Sequence, residues 1–125
     1  MGVVAAGALE HALGVLIYGV LGQGMLPGKY DAEASFDESD RRGRLHHFSG
    51  QGIERSLRMV KGLNRVAARL RRTPGQVAIR WALDHPSVHC AIVGAKSPAQ
   101  VDENAGAAGW EIPREERREL EAETA

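Results

Sequence analysis

The chain has 125 residues, 43% hydrophobic, 26% charged and 5% aromatic, an ordinary globular composition with room for one domain at most. Sixteen Lys and Arg balance sixteen Asp and Glu, so a formal net charge of zero gives no bulk pull toward nucleic acid or an anionic membrane. Cys90 is the only cysteine, which excludes an internal disulfide framework and fits a cytoplasmic setting, and the length excludes a complete eight-fold β/α barrel, which takes roughly 200 residues or more.

Residues 1–27 are apolar and rich in Gly and Ala, but they do not read as a signal peptide or a membrane span. Their start carries no Lys or Arg, Glu10 and His11 interrupt them, and Gly7, Gly14, Gly19, Gly22 and Gly24 punctuate them. Residues 3–13 predict a short Ala-rich helix broken at Gly14. Residues 15–18 (Val-Leu-Ile-Tyr) form a continuous apolar run, the pattern of a strand buried on both faces. The glycine-rich loop that follows must approach something closely or adopt positive φ. Residues 31–52 read as a long polar loop, and residues 54–72 as an amphipathic helix with Leu57, Val60, Leu63, Ala67 and Leu70 on one stripe.

Thr73-Pro74-Gly75-Gln76 is a helix start, with Thr73 as cap, Pro74 in the first turn and Gln76 completing a capping box. That helix stops before Pro86. Residues 88–93 predict a second buried strand, with Cys90 an inert buried thiol in it. Ser97-Pro98-Ala99-Gln100 predicts a second capping box and a helix to about residue 108. Pro113 opens a last helix, with Glu115 and Glu116 favourable in its first turn. Strands followed by helices define an α/β class with a parallel sheet. Two strands alone cannot close such a sheet, so the pattern reads as part of something larger.

Two places carry chemistry. In Ile92-Val93-Gly94-Ala95-Lys96-Ser97 a strand ends, Gly94 permits close approach, and Lys96 stands beside a helix N-terminus. That combination suits phosphate at the carboxyl end of a strand. Against it stands a plain strand-to-helix turn with a solvated lysine. At the other place, Tyr18 could stack on a flat ring while the glycine-loop amides and Lys29 meet a pyrophosphate. The alternative there is a core tyrosine and a flexible loop. No His and Cys spacing fits a metal.

These segments, in this order, resemble the C-terminal part of the aldo-keto reductases. Residues 14–30 look like the seventh-strand segment of that family, residues 73–83 like the helix before its eighth strand, and residues 92–104 like its adenosine-phosphate motif. The likeness runs from Ala8 to Leu120. It implies that residues 1–125 are a partial domain: the seventh and eighth β/α units of a (β/α)8 TIM barrel plus the C-terminal helices. It also implies NADP(H) as cofactor and a small carbonyl compound as substrate. Tyr18 would stack on the nicotinamide. Gly19, Val20, Leu21, Gly22 and Gln23 would line the pyrophosphate and ribose, with Lys29 and Arg42 closing over them. Gly94 would let the cofactor approach, Lys96 and Ser97 would hold the 2′-phosphate, and Gln100, Glu103 and Asn104 would face the adenosine.

Val20 stands where the family often has Pro, and Pro27 where it usually has Thr. Gly106 and Gly109 weaken the adenosine-side helix. The family's catalytic Asp, Tyr, Lys and His have no match in the chain, so no catalytic residue is expected and the chain alone is expected to be inactive. Other readings are a nucleotide-binding remnant, and a helix-turn-helix over residues 64–83 with Arg65, Arg69, Arg71, Arg72 and Arg80 around its turn. The neutral charge and the Tyr18 loop favour the first reading. No nucleic acid or membrane partner is expected. Self-association is expected of so open a piece.

Overall fold

Two short parallel strands set the geometry. The computed structural model describes residues 2–31, 33, 35–48 and 50–124. Met1 and Ala125, the ends of the expected domain, and Ala32, Ala34 and Ser49 of the expected polar loop lie outside the described residues. Strand β1 (Leu16–Tyr18) pairs with β2 (Cys90–Ile92) in the register Leu16↔Cys90, Ile17↔Ala91 and Tyr18↔Ile92. Both strands therefore end at one level. Below them, the Val15 carbonyl accepts from the amides of His89 and Cys90 at 2.9 and 3.3 Å, and His89 Nδ1 accepts from the Val15 amide at 3.2 Å.

A helix α1 (Gly2–Glu10) precedes β1, and helices α2 (Gly50–Leu70) and α3 (Pro74–Leu83) carry the chain between the strands. Such a helical crossover is what a parallel pair needs. Helices α4 (Pro98–Ala105) and α5 (Arg114–Thr124) follow β2. Val60, Leu63, Val66 and Ala67 recur at three- and four-residue steps on α2 and are buried. Leu63, Val66 and Ala67 pack with Val77 and Ala78 of α3, Ile112 and Leu120 into the main core.

The turn between α2 and α3 is fixed locally. Arg71 takes a left-handed φ of 52°, ending α2, and Thr73 then accepts from the Gln76 amide while the Gln76 side chain accepts from the Thr73 amide. Asp84 caps the far end of α3. Its carboxylate pairs with Arg80 at 2.6 Å and Arg117 at 2.9 Å, and it accepts from the Ile112 amide at 3.0 Å, tying α3 to the start of α5.

Several expectations are corrected. Helix α1 ends at Glu10 rather than residue 13, with Ala12 left-handed at φ 52°. Both strands are three residues long, shorter than the apolar runs that predict them. They are not buried on both faces: Leu16, Tyr18 and Ile92 are 62%, 85% and 53% exposed, and Cys90 is exposed rather than buried. Ile17 and Ala91, which alternate with these, are half-buried. The described residues cover one face of the sheet and leave the other open.

Ser97 caps α4 as expected, but the box is not reciprocal: the Gln100 side chain accepts from the Lys96 amide at 2.6 Å instead. Helix α4 also ends at Ala105, short of residue 108. The polar loop is partly ordered by two 3-10 turns, Arg41–Arg44 and His46–Phe48, and α2 begins at Gly50 rather than residue 54. That loop packs Tyr30, Phe36 and Phe48 edge to face, with centroids 4.9–5.4 Å apart, over Met25 and Val60 in a second apolar cluster.

Candidate functional site

A cleft of about 570 Å³ opens at the carboxyl ends of β1 and β2. One wall is the loop leaving β1. Gly19, Gly22, Gln23, Gly24 and Gly28 all take positive φ there, between 51° and 96°. Four of the five are glycine, as this backbone requires. The loop is closed on itself: the Gly22 amide donates to the Gly19 carbonyl at 2.9 Å and the Gly24 amide to the Leu21 carbonyl at 3.0 Å. The amides of Val20 and Leu21 donate to no described residue. Gly19, Val20, Leu21, Gln23 and Gly24 line the cleft.

The opposite wall is the exit of β2 and the first turns of α4. Ile92, Val93, Gly94, Ala95 and Lys96 run along it. Gln100, Glu103 and Asn104 also line it, because steps of three and four put them on one helix face. Each is held. Gln100 accepts from the Lys96 amide, Asn104 Nδ2 donates to the Gly94 carbonyl at 3.3 Å, and Glu103 Oε1 accepts from the Thr73 hydroxyl at 3.0 Å. The helix thus fixes the path of the strand exit.

Lys29 and Arg42 come from the strap that follows the glycine loop, and both line the cleft with Pro27 and Tyr30. Neither Lys29 nor Lys96 has a carboxylate within ion-pair distance among the described residues. Lys29, Arg42 and Lys96 against Glu103 in the lining, with Asp40 paired to Arg42 beside it, leave the cleft net positive. The Arg42 hydrogen bonds hold the Asp40 carboxyl down at about 2, and Asp40 in turn raises the Arg42 guanidinium above its ordinary value.

Eleven of the fourteen expected site residues come together in this way: Gly19, Val20, Leu21, Gln23, Lys29, Arg42, Gly94, Lys96, Gln100, Glu103 and Asn104. Three stand outside the cleft lining. Tyr18 points to the open face of the sheet beside Gly19, a side chain at Gly22 would point toward Met25 and Leu26, and the Ser97 hydroxyl is taken by the Gln100 amide. Gly75 lines the cleft unforeseen, brought there by the first turn of α3 beside Glu103, where no sequence signal marks it.

The arginines of the helix-turn-helix reading are largely engaged. Arg65 pairs with Glu119 and Glu123, Arg69 with Glu116 and Glu119, Arg80 with Asp84, and Arg72 lies 5.0 Å from the Trp110 ring centre. No helix among the described residues is long and apolar enough to cross a membrane.

An electropositive cleft at the carboxyl ends of adjacent parallel strands is where α/β proteins receive phosphorylated ligands. The family model described as the aldo/keto reductase family matches residues 4–123, and the chain belongs to that family. It is 31% identical over 109 residues to the aldo-keto reductase str7 of Strobilurus tenacellus, covering 87% of this chain and 32% of that protein. It is 29% identical over 98 residues to the aldo-keto reductase yakc [NADP(+)] of Schizosaccharomyces pombe, covering 78% of this chain and 29% of that one. Among solved structures, a glycerol dehydrogenase of Gluconobacter oxydans superposes with a TM-score of 0.83 at 29% identity, over 93% of this chain and 35% of that one. The chain spans about a third of the length of the relatives it matches.

Proposed function

We propose that the chain is the NADP(H)-binding part of an aldo-keto reductase, corresponding to the seventh and eighth β/α units of the barrel and the helices after them. The observation that carries this reading is the electropositive cleft between the glycine loop and the β2 exit, on the side where both strands end. The residues present fit the cofactor. Val20 and Leu21 offer free amides, Lys29 and Arg42 offer charge for a pyrophosphate, and Lys96 offers charge for a 2′-phosphate. Gln100, Glu103 and Asn104 form a polar face for the adenosine. Tyr18, exposed beside Gly19, offers a ring for stacking. When bound, the dinucleotide supplies the hydride. The chain's own residues bind and orient it. None of them takes the role of proton donor to a carbonyl oxygen, so reduction of a small carbonyl compound belongs to the complete barrel. A relative named for NADP(+) favours the phosphorylated dinucleotide.

The test is a fluorescence titration of NADPH and NADH into the chain and into Lys96→Glu. The expected result is saturable NADPH binding that weakens by about tenfold or more in the variant, with NADH little changed, because only NADPH carries the anion that Lys96 meets. Equal loss for both cofactors would show that Lys96 does not read the 2′-phosphate. No binding of either would overturn the dinucleotide reading.

A further inference from the structure

We propose that Asp40 and Tyr30 are positioning residues that set Arg42 as a preformed clamp for a phosphate group in the cleft, an inference that rests on the dinucleotide reading above. The Asp40 carboxylate accepts from the Arg42 amide at 2.9 Å and from Arg42 Nε at 3.0 Å on each of its oxygens, and it pairs also with Nη2. Arg42 Nη1 donates to the Tyr30 hydroxyl. The guanidinium lies 5.4 Å from the Tyr30 ring centre and 4.9 Å from that of Phe36. Phe48 braces both rings from the edge.

The donor inventory then decides what Arg42 can do. A guanidinium has five N–H groups in one rigid plane. Asp40 takes Nε–H and one hydrogen on Nη2, and Tyr30 takes one on Nη1. One N–H on each terminal nitrogen is left with no partner among the described residues. Two charged N–H donors are thus free to meet phosphate oxygens. Arg42 lines the cleft, so the strap presents these donors to whatever fills it.

Asp40 acts in two opposed ways. Its negative charge offsets part of the field of Arg42, which disfavours an anion. Its hydrogen bonds and the two rings also remove the rotamer freedom that a loose arginine would lose on binding, which favours one. The Arg42 and Asp40 side chains are 35% and 26% exposed, where water screens charge, so positioning outweighs the offset.

The test compares the wild-type chain with Asp40→Asn, Asp40→Glu, Tyr30→Phe, Arg42→Met and the double variant Asp40→Asn with Arg42→Met, titrated with NADPH and NADH. Asparagine keeps a good cap for the 3-10 turn at Arg41–Arg44 and so spares the fold. Asp40→Asn is expected to weaken both cofactors by about the same factor, near tenfold, since both carry the pyrophosphate. Tyr30→Phe, which keeps the ring and removes only the hydroxyl, should weaken both by a smaller factor, and Asp40→Glu should recover part of the loss. In the Arg42→Met background Asp40→Asn should add nothing, because Asp40 acts through Arg42. Tighter binding or no change in Asp40→Asn would overturn the inference while leaving the dinucleotide reading intact. So would an equal loss from Asp40→Asn in the Arg42→Met background. Failure of the wild-type chain to bind either cofactor would overturn both.

Discussion

Gly52 shows how one atom decides an energy balance. It lies in the first turns of α2, where alanine ordinarily gains about 1 kcal/mol over glycine. A Cβ on Gly52 would fall 1.9 Å from the His46 carbonyl oxygen, a backbone atom that no rotamer change can move. Relief would require moving the His46–Phe48 turn, and with it Phe48 and the second apolar cluster. Overpacking of this kind costs about 1–3 kcal/mol, so the clash wins. Gly52→Ala is therefore expected to lower the urea midpoint and the melting temperature clearly. Gly62 is the internal control. A Cβ there would fall 2.9 Å from Glu123 Cγ, a side-chain atom that can yield at the cost of the partly exposed pair with Arg65. Gly62→Ala should stay within about 1 kcal/mol of wild type, with helix propensity offsetting the shift. Equal losses for the two would show that the His46 carbonyl does not decide the balance at Gly52.

At the scale of elements, the seam between α2 and α5 is an ionic latch laid over an apolar contact. Arg65 Nε reaches Glu119 at 2.9 Å and its Nη2 reaches Glu123 at 2.5 Å, while Arg69 pairs with Glu119 and Glu116. The hydrogen bond from Arg69, then that from Arg65, holds the Glu119 carboxyl below its ordinary value. A carboxyl whose folded pKa lies below its unfolded one contributes stability above the unfolded value, near 4.5, and loses it as pH falls through the lowered folded value. Glu119→Gln should therefore unfold at lower urea than wild type at pH 7, and the gap should narrow as the pH falls below the ordinary carboxyl range. A gap that does not change with pH would show that Glu119 acts by packing alone.

What was legible in the sequence follows the range of the interaction. The Thr73–Gln76 box is made within four residues and reads directly from their types. The α2 stripe reads from its period, and the cleft residues Gln100, Glu103 and Asn104 from helical spacing. The Tyr30–Phe36–Phe48 cluster has no period, since it forms only when a loop folds back on Met25 and Val60, so residues 31–52 read merely as polar. The lost reciprocity at Ser97 has a similar origin. The Gln100 side chain, which in a reciprocal box would accept from the Ser97 amide, accepts from the Lys96 amide at 2.6 Å.

For the whole molecule, the same apolar runs carry two messages. Continuous Val-Leu-Ile-Tyr and Cys-Ala-Ile-Val segments are strands suited to cover on both faces, yet the chain covers one. Leu16, Tyr18, Cys90 and Ile92 share the other face, as the register requires, and all four are exposed. Each outer edge of this two-stranded sheet also leaves strand amides and carbonyls without a strand partner among the described residues. Such an edge is a template for another strand. Burying one Leu or Ile contributes about 1.5–3 kcal/mol, against a net domain stability of about 5–15 kcal/mol, so an open face of this size is a strong drive to associate. Zero net charge provides no repulsion to oppose it. The isolated chain is therefore expected to elute from a sizing column as a folded oligomer at micromolar concentration. Ile92→Lys with Leu16→Glu, which put charge on the open face and leave the main core untouched, should shift it toward monomer. A wild-type chain that runs as a monomer and unfolds in one sharp transition would show that the one-faced sheet is stable without cover.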